Sequence, residues 1–571
     1  MENPTHQTSP LAGWFAIAFI LVLLLKVYLA AVLDLYSDEI FYWLASTRLS
    51  LAYSDLPFMT ALLAGMGNMF DPGNSLAVRL LFLLMGSSLP LLVYWLALPF
   101  SNRQQALESA LLTLCLPLGG FLGLLAVPDV PLIFFGLLAI GFFHRALTDD
   151  KLRDWLATGL FVALGLCTHY RFFLYPLAAV CFLILCREAH SQWRNPRLWL
   201  AMVIASLGLI PILWFNLSNQ LSSASFYLVE RHPWEFQPGG LLHLFKQAGL
   251  VTPPLYLLFL FCLWQLLKKA REGHRDSLLL LCFAVTNLSV YLVLAPWTDA
   301  DSTSIHWPLS GYFPLLVVAP SGLRQVYSWA SNKWPQRSAK KVTLSIPVLG
   351  FAGTLVALMG VGSQAFQAPL QTVLGTGVLS NKMAGWREFT DYTAHLVAEQ
   401  FSDASPVVIT DNYYTAAQMK FAGISDRVFT LDRDKAVRDG RIVQLQLWEM
   451  DESALPQLAG NAALYVNEDS TLILEDKIEL MATLCDYSTA IEPLSTLSLF
   501  AGDKAFSFYR VNTFAIEIGI AIHDTTIDTG AINKVIHTVD GLENGTFTAT
   551  RWTNESRDFA TLNRDGDIFH C

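Results

Sequence analysis

Long apolar runs separated by short polar segments dominate the first 370 residues, a pattern that predicts membrane-spanning helices. The first run extends from Leu11 to Leu33 and is interrupted by Lys26. It is too long for a signal-peptide core and has no basic leader, so it reads as an uncleaved span. Further runs lie near 76–99, 106–125, 130–147, 155–168, 172–186, 198–216, 252–267, 277–295, 309–321 and 343–362. Roughly eleven transmembrane helices follow, several of them short against the ~20 residues that a lipid-exposed helix needs. Between the first two runs, the mixed stretches 42–52 and 57–70 predict short amphipathic helices lying at the membrane surface, within a first loop of residues 34–75.

The pattern changes after the last span. Residues 381–571 are polar, with strand-like runs such as Pro406–Thr410 and Ala462–Val466 alternating with helix-like stretches at 386–400 and 413–421. That alternation predicts a small α/β domain. The last ~45 residues read either as short strands or as a mobile tail. The expected organisation is a mainly α-helical polytopic domain over residues 1–370 and a soluble domain over 381–571.

Composition sharpens the membrane reading. Hydrophobic residues make up 53% of the 571 and charged residues only 15%, against about 25% charged in soluble domains. The net charge of −10 comes without a basic stretch able to track a phosphate backbone, so nucleic-acid binding is excluded. One set of alternate loops collects the cations: Arg103; Arg145, Lys151 and Arg153; Arg187, Arg194 and Arg197; Lys268, Lys269, Arg271 and Arg275; then Arg324, Lys333, Arg337, Lys340 and Lys341. The opposite set holds Arg48, Arg171, Arg231 and Lys246, with Arg79 at a span entrance. The positive-inside rule places the first set and the amino terminus in the cytoplasm, and an odd number of spans places the carboxy-terminal domain outside it. Lys26 either pairs with an acid or a lipid phosphate, or snorkels to an interface. Six cysteines lie in apolar runs; Cys485 and Cys571 lie in the polar tail, where a disulfide is one option outside the cytoplasm.

Chemistry-bearing residues gather on the outer side. Asp38 and Glu39 follow the first span, in Tyr36-Ser37-Asp38-Glu39-Ile40-Phe41-Tyr42-Trp43, and Asp55 lies in Tyr53-Ser54-Asp55-Leu56-Pro57. Asp129 lies in Pro128-Asp129-Val130-Pro131-Leu132, followed by Thr168-His169-Tyr170-Arg171 and, after Asp299 and Asp301, by His306-Trp307-Pro308. Acids in a partly desolvated cleft serve as general bases towards hydroxyl nucleophiles, and Arg or His grips an anionic phosphate. A site on that side has no access to cytoplasmic nucleotide sugars, but it can use a sugar carried on a polyprenyl phosphate.

These motifs, in this order, resemble membrane glycosyltransferases of the GT-C fold, specifically the protein O-mannosyltransferase and lipid A aminoarabinose transferase group (glycosyltransferase families 39 and 83). The resemblance covers residues 12–320, and Gly385-Trp386-Arg387-Glu388 and Asp411-Asn412-Tyr413-Tyr414 resemble the start of the outer domain in bacterial members. It implies a bacterial inner-membrane enzyme that moves a sugar from a polyprenyl-phosphate donor to a lipid, glycan or protein acceptor on the periplasmic face, with inversion. By the same resemblance Asp38 is the base, with Glu39 supporting it or binding sugar. Tyr42, Tyr53, Asp55, Asp129, His169, Tyr170, Arg171, His306 and Trp307 become substrate-binding candidates. Two departures stand out: Pro57 is single where many relatives have two prolines, and His169-Tyr170-Arg171 replaces a common Lys-Tyr.

Blander readings stand beside these. Asp38 and Glu39 could simply end the first span in headgroup water, and Asp129 could cap the next helix. His306-Trp307 could anchor at the interface, and Glu230, Arg231 and Glu235 could form a solvated loop. Histidines 169, 232, 243 and 306 lack metal-ligand spacing, and a divalent metal ion is left open. The rival function is a transporter or lipid-linked-sugar flippase, but no internal repeat is evident and the polar cluster sits at one face rather than at mid-bilayer.

Overall fold

Where no water reaches the backbone, each peptide group must bond within its own segment, so the apolar runs fold as helices. The computed structural model describes residues 10–232, 234–298, 305–401, 406–458, 462–514 and 569–570. A helix, or a pair of short helices, stands at each of the eleven apolar runs. Among the described residues, six helical stretches are long and apolar enough to cross a membrane: Pro10–Val32, Ser75–Ala97, Asp129–Asp149, Pro196–Ser218, Arg275–Trp297 and Gln336–Leu374. The number rises to eight if each of two sharply bent pairs, Tyr170–Arg194 and Pro238–Arg271, forms one span. The remaining runs form helices such as Leu152–Leu166 and Leu309–Lys333.

The chain divides into two compact units, Met1–Leu33 with Tyr42–Ser363, and Asp34–Phe41 with Gln364–Cys571. In the first, helical unit, buried cations satisfy backbone carbonyls. Lys26 neither meets an acid nor snorkels: its buried ammonium donates to the Leu122 carbonyl at 2.7 Å, just past the short helix Pro117–Phe121. An unbonded carbonyl at that depth is expensive, and the lysine removes the cost. Gly86 and Gly123 make this approach possible. A Cβ on Gly86 would fall on the Leu122 carbonyl, and Gly123 adopts φ +93°, which L side chains rarely do. Arg79, fully buried, donates to the carbonyls of Ala30 (3.0 Å) and Leu33 (2.8 Å), a cation at the carboxy-terminal end of Pro10–Val32.

The first loop departs from the surface-helix reading. Its first helix is Ser37–Ser46, not 42–52, so Asp38 and Glu39 lie in its opening turn. The acids neither end the first span nor precede the helix; they start it, where free N–H groups and the dipole favour negative charge. Ile40 to Ala45 are all buried rather than spread on a surface. The second helix, Met59–Asn68, keeps an exposed apolar edge at Met66, with Met69 and Phe70 just beyond its end.

Among its described residues, the second unit contains a six-stranded mixed sheet. Its strands are β1 (Val407–Thr410), β2 (Val428–Thr430), β3 (Ala463–Asn467), β4 (Ser488–Leu499), β5 (Lys504–Phe514) and β6 (Phe569–His570), in the order β2-β1-β3-β5-β4-β6. β1 runs parallel to β2 and β3, while β5 pairs antiparallel with β3 and β4. Parallel neighbours need crossovers, which the helix Tyr413–Phe421 and the helical segments between β2 and β3 supply. Val407, Ile409, Leu455, Ala463, Tyr465, Leu484 and Val511 form the core of one face. Most of the polar tail and Cys571 lie outside the described residues, and with them the proposed Cys485–Cys571 pairing; the other six cysteines are free.

Candidate functional site

In the helical unit, one constellation forms around Asp129. Pro128 precedes the helix Asp129–Asp149 without a side-chain cap, and the Asp129 carboxylate does not cap it either. One oxygen accepts from Arg171 Nη2 at 3.0 Å and the other lies 3.4 Å from His306 Nε2. Arg171 and Asp129 are both nearly inaccessible to solvent, so this charge pair is desolvated and directional, whereas His306 stays partly exposed. The turn that presents Arg171 is set by His169, whose Nδ1 accepts from the Arg171 backbone N–H at 3.1 Å.

Trp307 is the shared contact of the cluster. The Arg171 guanidinium carbon lies 4.8 Å from its ring centre and that of Arg231 lies 5.1 Å away, while His169 and Tyr291 pack against the same indole. Two guanidinium groups over one electron-rich ring is an arrangement that cation–π attraction supports. Two cations and one carboxylate leave the cluster net positive before any contribution from His306. Arg231 also lies over Phe226 and Tyr227, and its Nε is buried without a hydrogen-bond partner among the described residues. Arg231 is therefore not part of a solvated loop. Glu230 and Glu235 are exposed, as that reading has them, and Glu230 accepts from Ser225 Oγ at 2.7 Å. The chemistry available here is capture of an anion with an acid–imidazole pair beside it.

Other candidates take up more local positions. Tyr53 is buried, and its hydroxyl bonds to the Ala45 carbonyl (2.9 Å) and accepts from Ser50 N–H (3.2 Å). Its own N–H donates to the Leu56 carbonyl, closing a turn ahead of Pro57. Asp55 is buried in that turn, and its backbone carbonyl accepts from the Tyr227 hydroxyl at 2.8 Å. Tyr227 in turn packs on Tyr170, with ring centres 4.9 Å apart, and on His169. The turn, Tyr170, His169 and Arg231 thus meet at Tyr227, a residue without a recognisable motif of its own. Tyr42 is buried. Among the described residues, no group of three or more His, Cys, Asp or Glu side chains is placed to hold a metal ion. Asp299 and Asp301 lie outside the described residues.

The second unit holds the acidic pair. Glu39 is fully buried, and its Oε2 accepts from Tyr36 N–H at 3.0 Å, the back-reach of a capping box. Asp38 points elsewhere: its Oδ1 accepts from Arg441 Nη2 at 2.6 Å. Asp34, two residues past the first long helix, takes the Trp386 N–H at 2.8 Å and the Arg387 guanidinium at 3.1 Å. That carboxylate sits at the start of the helix Trp386–Gln400, behind Gly385 at φ +81°. Sequence reasoning missed Asp34, Tyr227, Arg231 and Arg441. For Arg441 the trace was the Asp411–Tyr414 motif, because Tyr413 holds Arg441 in place.

The multi-helix apolar unit, with its acid–guanidinium–imidazole–indole cluster, and the small α/β unit have the GT-C fold. Residues 55–215 match the family described as dolichyl-phosphate-mannose-protein mannosyltransferase. The lipid A galacturonosyltransferase RgtD of Rhizobium johnstonii is 23% identical over 386 residues, covering 66% of this chain and 76% of the relative. The fold is similar to that of ArnT from Cupriavidus metallidurans in its apo state, with a TM-score of 0.59 and 14% identity, covering 87% of this chain and 98% of the other. The structure of ArnT bound to undecaprenyl phosphate matches with the same TM-score and 13% identity. Together these matches support a GT-C glycosyltransferase.

Proposed function

We propose that this protein transfers one sugar from a polyprenyl-phosphate donor to an acceptor on the periplasmic face of the bacterial inner membrane, with inversion at the anomeric carbon. The observation that carries the reading is the net-positive cluster in which Arg171 and Arg231 both lie over the Trp307 ring, with Asp129 bonded to Arg171. Such a cluster suits a phosphate whose negative charge grows as it leaves. In the step proposed, an acceptor oxygen bonds to the anomeric carbon while the bond from that carbon to the lipid-phosphate oxygen breaks. The bonding electrons leave with the polyprenyl phosphate, and the acceptor proton passes to the Asp38 carboxylate. A relative solved with undecaprenyl phosphate supports the carrier class, and one named for lipid A supports a lipid acceptor. Glu39 supports Asp38 by fixing the start of its helix.

The direct test compares membranes carrying wild-type protein or Asp38→Asn, supplied with radiolabelled polyprenyl-phosphate sugars. The expected outcome is transfer of label to endogenous acceptors by the wild type and its loss in an equally expressed Asp38→Asn. Equal transfer by both would remove Asp38 from the chemistry.

A further inference from the structure

Arg441 is 403 residues from Asp38 in sequence, yet its Nη2 reaches Asp38 Oδ1 at 2.6 Å. The guanidinium is held on other sides as well. Nη1 donates to the Tyr413 hydroxyl, which itself donates to Asp439 Oδ2 at 2.9 Å. Its carbon lies 4.2 Å from the ring centre of Phe41 and 4.9 Å from that of Tyr413. Phe41 follows Asp38 by three residues on the same helix, so one helical turn offers Arg441 both a carboxylate and an aromatic face. The partners differ in exposure: the Arg441 side chain is 3% exposed and that of Asp38 39%. The cation is locked and dry, while the acid is open on one side. The Arg441 bond to Oδ1 is the one hydrogen bond to the Asp38 carboxylate among the described residues.

We propose that Arg441 is a positioning residue for Asp38, clamping Oδ1 so that Oδ2 is the oxygen offered to the acceptor hydroxyl. This rests on the reading of Asp38 as the acid that receives the acceptor proton. A carboxylate free to rotate presents either oxygen in many orientations, whereas one held by a fixed guanidinium presents a single oxygen in a single plane. The logic is that of a base oriented by a third group. Tyr413 and Asp439 extend the chain by fixing the guanidinium, and the Phe41 ring stops it from swinging away. The Asp411–Tyr414 motif thereby gains a role: it delivers the hydroxyl that aims Arg441.

The test uses the full-length enzyme in lipid nanodiscs with a polyprenyl-phosphate sugar that the wild type consumes. We expect Arg441→Ala to lose about 100-fold in kcat, the scale of a small misplacement of a reacting group, with the donor KM nearly unchanged. Added methylguanidinium should restore part of that loss, and Arg441→Lys should retain more activity than Arg441→Ala. In the double variant, Arg441→Ala should cost almost nothing further once Asp38→Asn is present, because both changes act on one interaction. A folded Arg441→Ala with wild-type kcat overturns the proposal. So does a loss that methylguanidinium leaves untouched and that adds in full to Asp38→Asn. If Arg441→Ala does not elute as a folded species, Arg441→Lys and Tyr413→Phe carry the same comparison. Wild-type turnover by Asp38→Asn alone would instead sink the underlying reading of Asp38.

Discussion

Asp129 shows how a single carboxylate distinguishes readings that the sequence left open. An aspartate flanked by prolines at a helix start is a good cap by rule, but here both oxygens are engaged by Arg171 and His306. Removing Arg171 would strand a nearly inaccessible charge, so Arg171→Gln should reduce both folded yield and transfer. Arg231 makes no such pair with Asp129, which separates its two roles. Arg231→Gln gives up ring contacts but strands no partner charge, so it should cost less thermal stability than Arg171→Gln. It should raise the donor KM by about tenfold or more, the worth of a charged hydrogen bond to phosphate. Steady-state kinetics against donor concentration checks this; an unchanged KM would separate Arg231 from the donor. Motif reading missed Arg231 because a lone arginine in a polar loop has no pattern, and only the fold sets it over Trp307.

At the level of elements, the helix Ser37–Ser46 carries its catalytic candidate and its cap side by side. Apolar periodicity put its start too late, because Ser37-Asp38-Glu39 reads as polar loop until the capping geometry is known. A Glu at the third helical position bonding back to the cap N–H is worth about 0.3–1.5 kcal/mol. Glu39→Gln keeps an acceptor there and should retain most stability and most transfer, whereas Glu39→Ala should melt at lower temperature. Thermal denaturation of the detergent-solubilised variants reads the difference. A Glu39→Gln protein that melts like the wild type but is inactive would assign Glu39 a direct chemical role instead. Gly86 offers a test of packing. Its added Cβ would overlap the Leu122 carbonyl that Lys26 satisfies, so Gly86→Val should fail to accumulate in the membrane.

For the whole molecule, two buried ionisable groups in the α/β unit tie stability to pH. Burial pushes the Asp411 carboxyl up to about 7, against the pull of Lys435. Between pH ~4 and 7 the folded state then holds a proton that the unfolded chain has released, so this group's contribution to stability falls as pH rises through that window. Burial lowers Lys504 to about 8, with Glu468 and Asp34 opposing. From pH 8 to ~10.4 the unfolded chain holds the extra proton, and the contribution of Lys504 rises with pH. Melting curves of the full-length protein across pH 4–10 should show Asp411→Asn gaining on the wild type as pH rises to 7. Lys504→Met should lose part of its advantage above pH 8. Parallel curves for wild type and variant would remove either group from the linkage.

The sequence by itself determined the membrane-spanning half, because helices in lipid need only local bonds and long apolar runs, and both are written in order along the chain. It also determined the acid and base candidates and their resemblance to GT-C enzymes, since five short motifs recur in sequence order. Strand alternation likewise announced the α/β half, but not its mixed strand order, which depends on pairings among residues far apart. Tertiary structure alone decided which cation meets which acid. Asp38 finds Arg441 across some 400 residues, Arg171 and Arg231 share Trp307, and Lys26 answers a backbone carbonyl rather than an acid. Such pairings carry no periodicity, because they are set by the need to satisfy each buried charge with whatever partner the packed chain brings within reach.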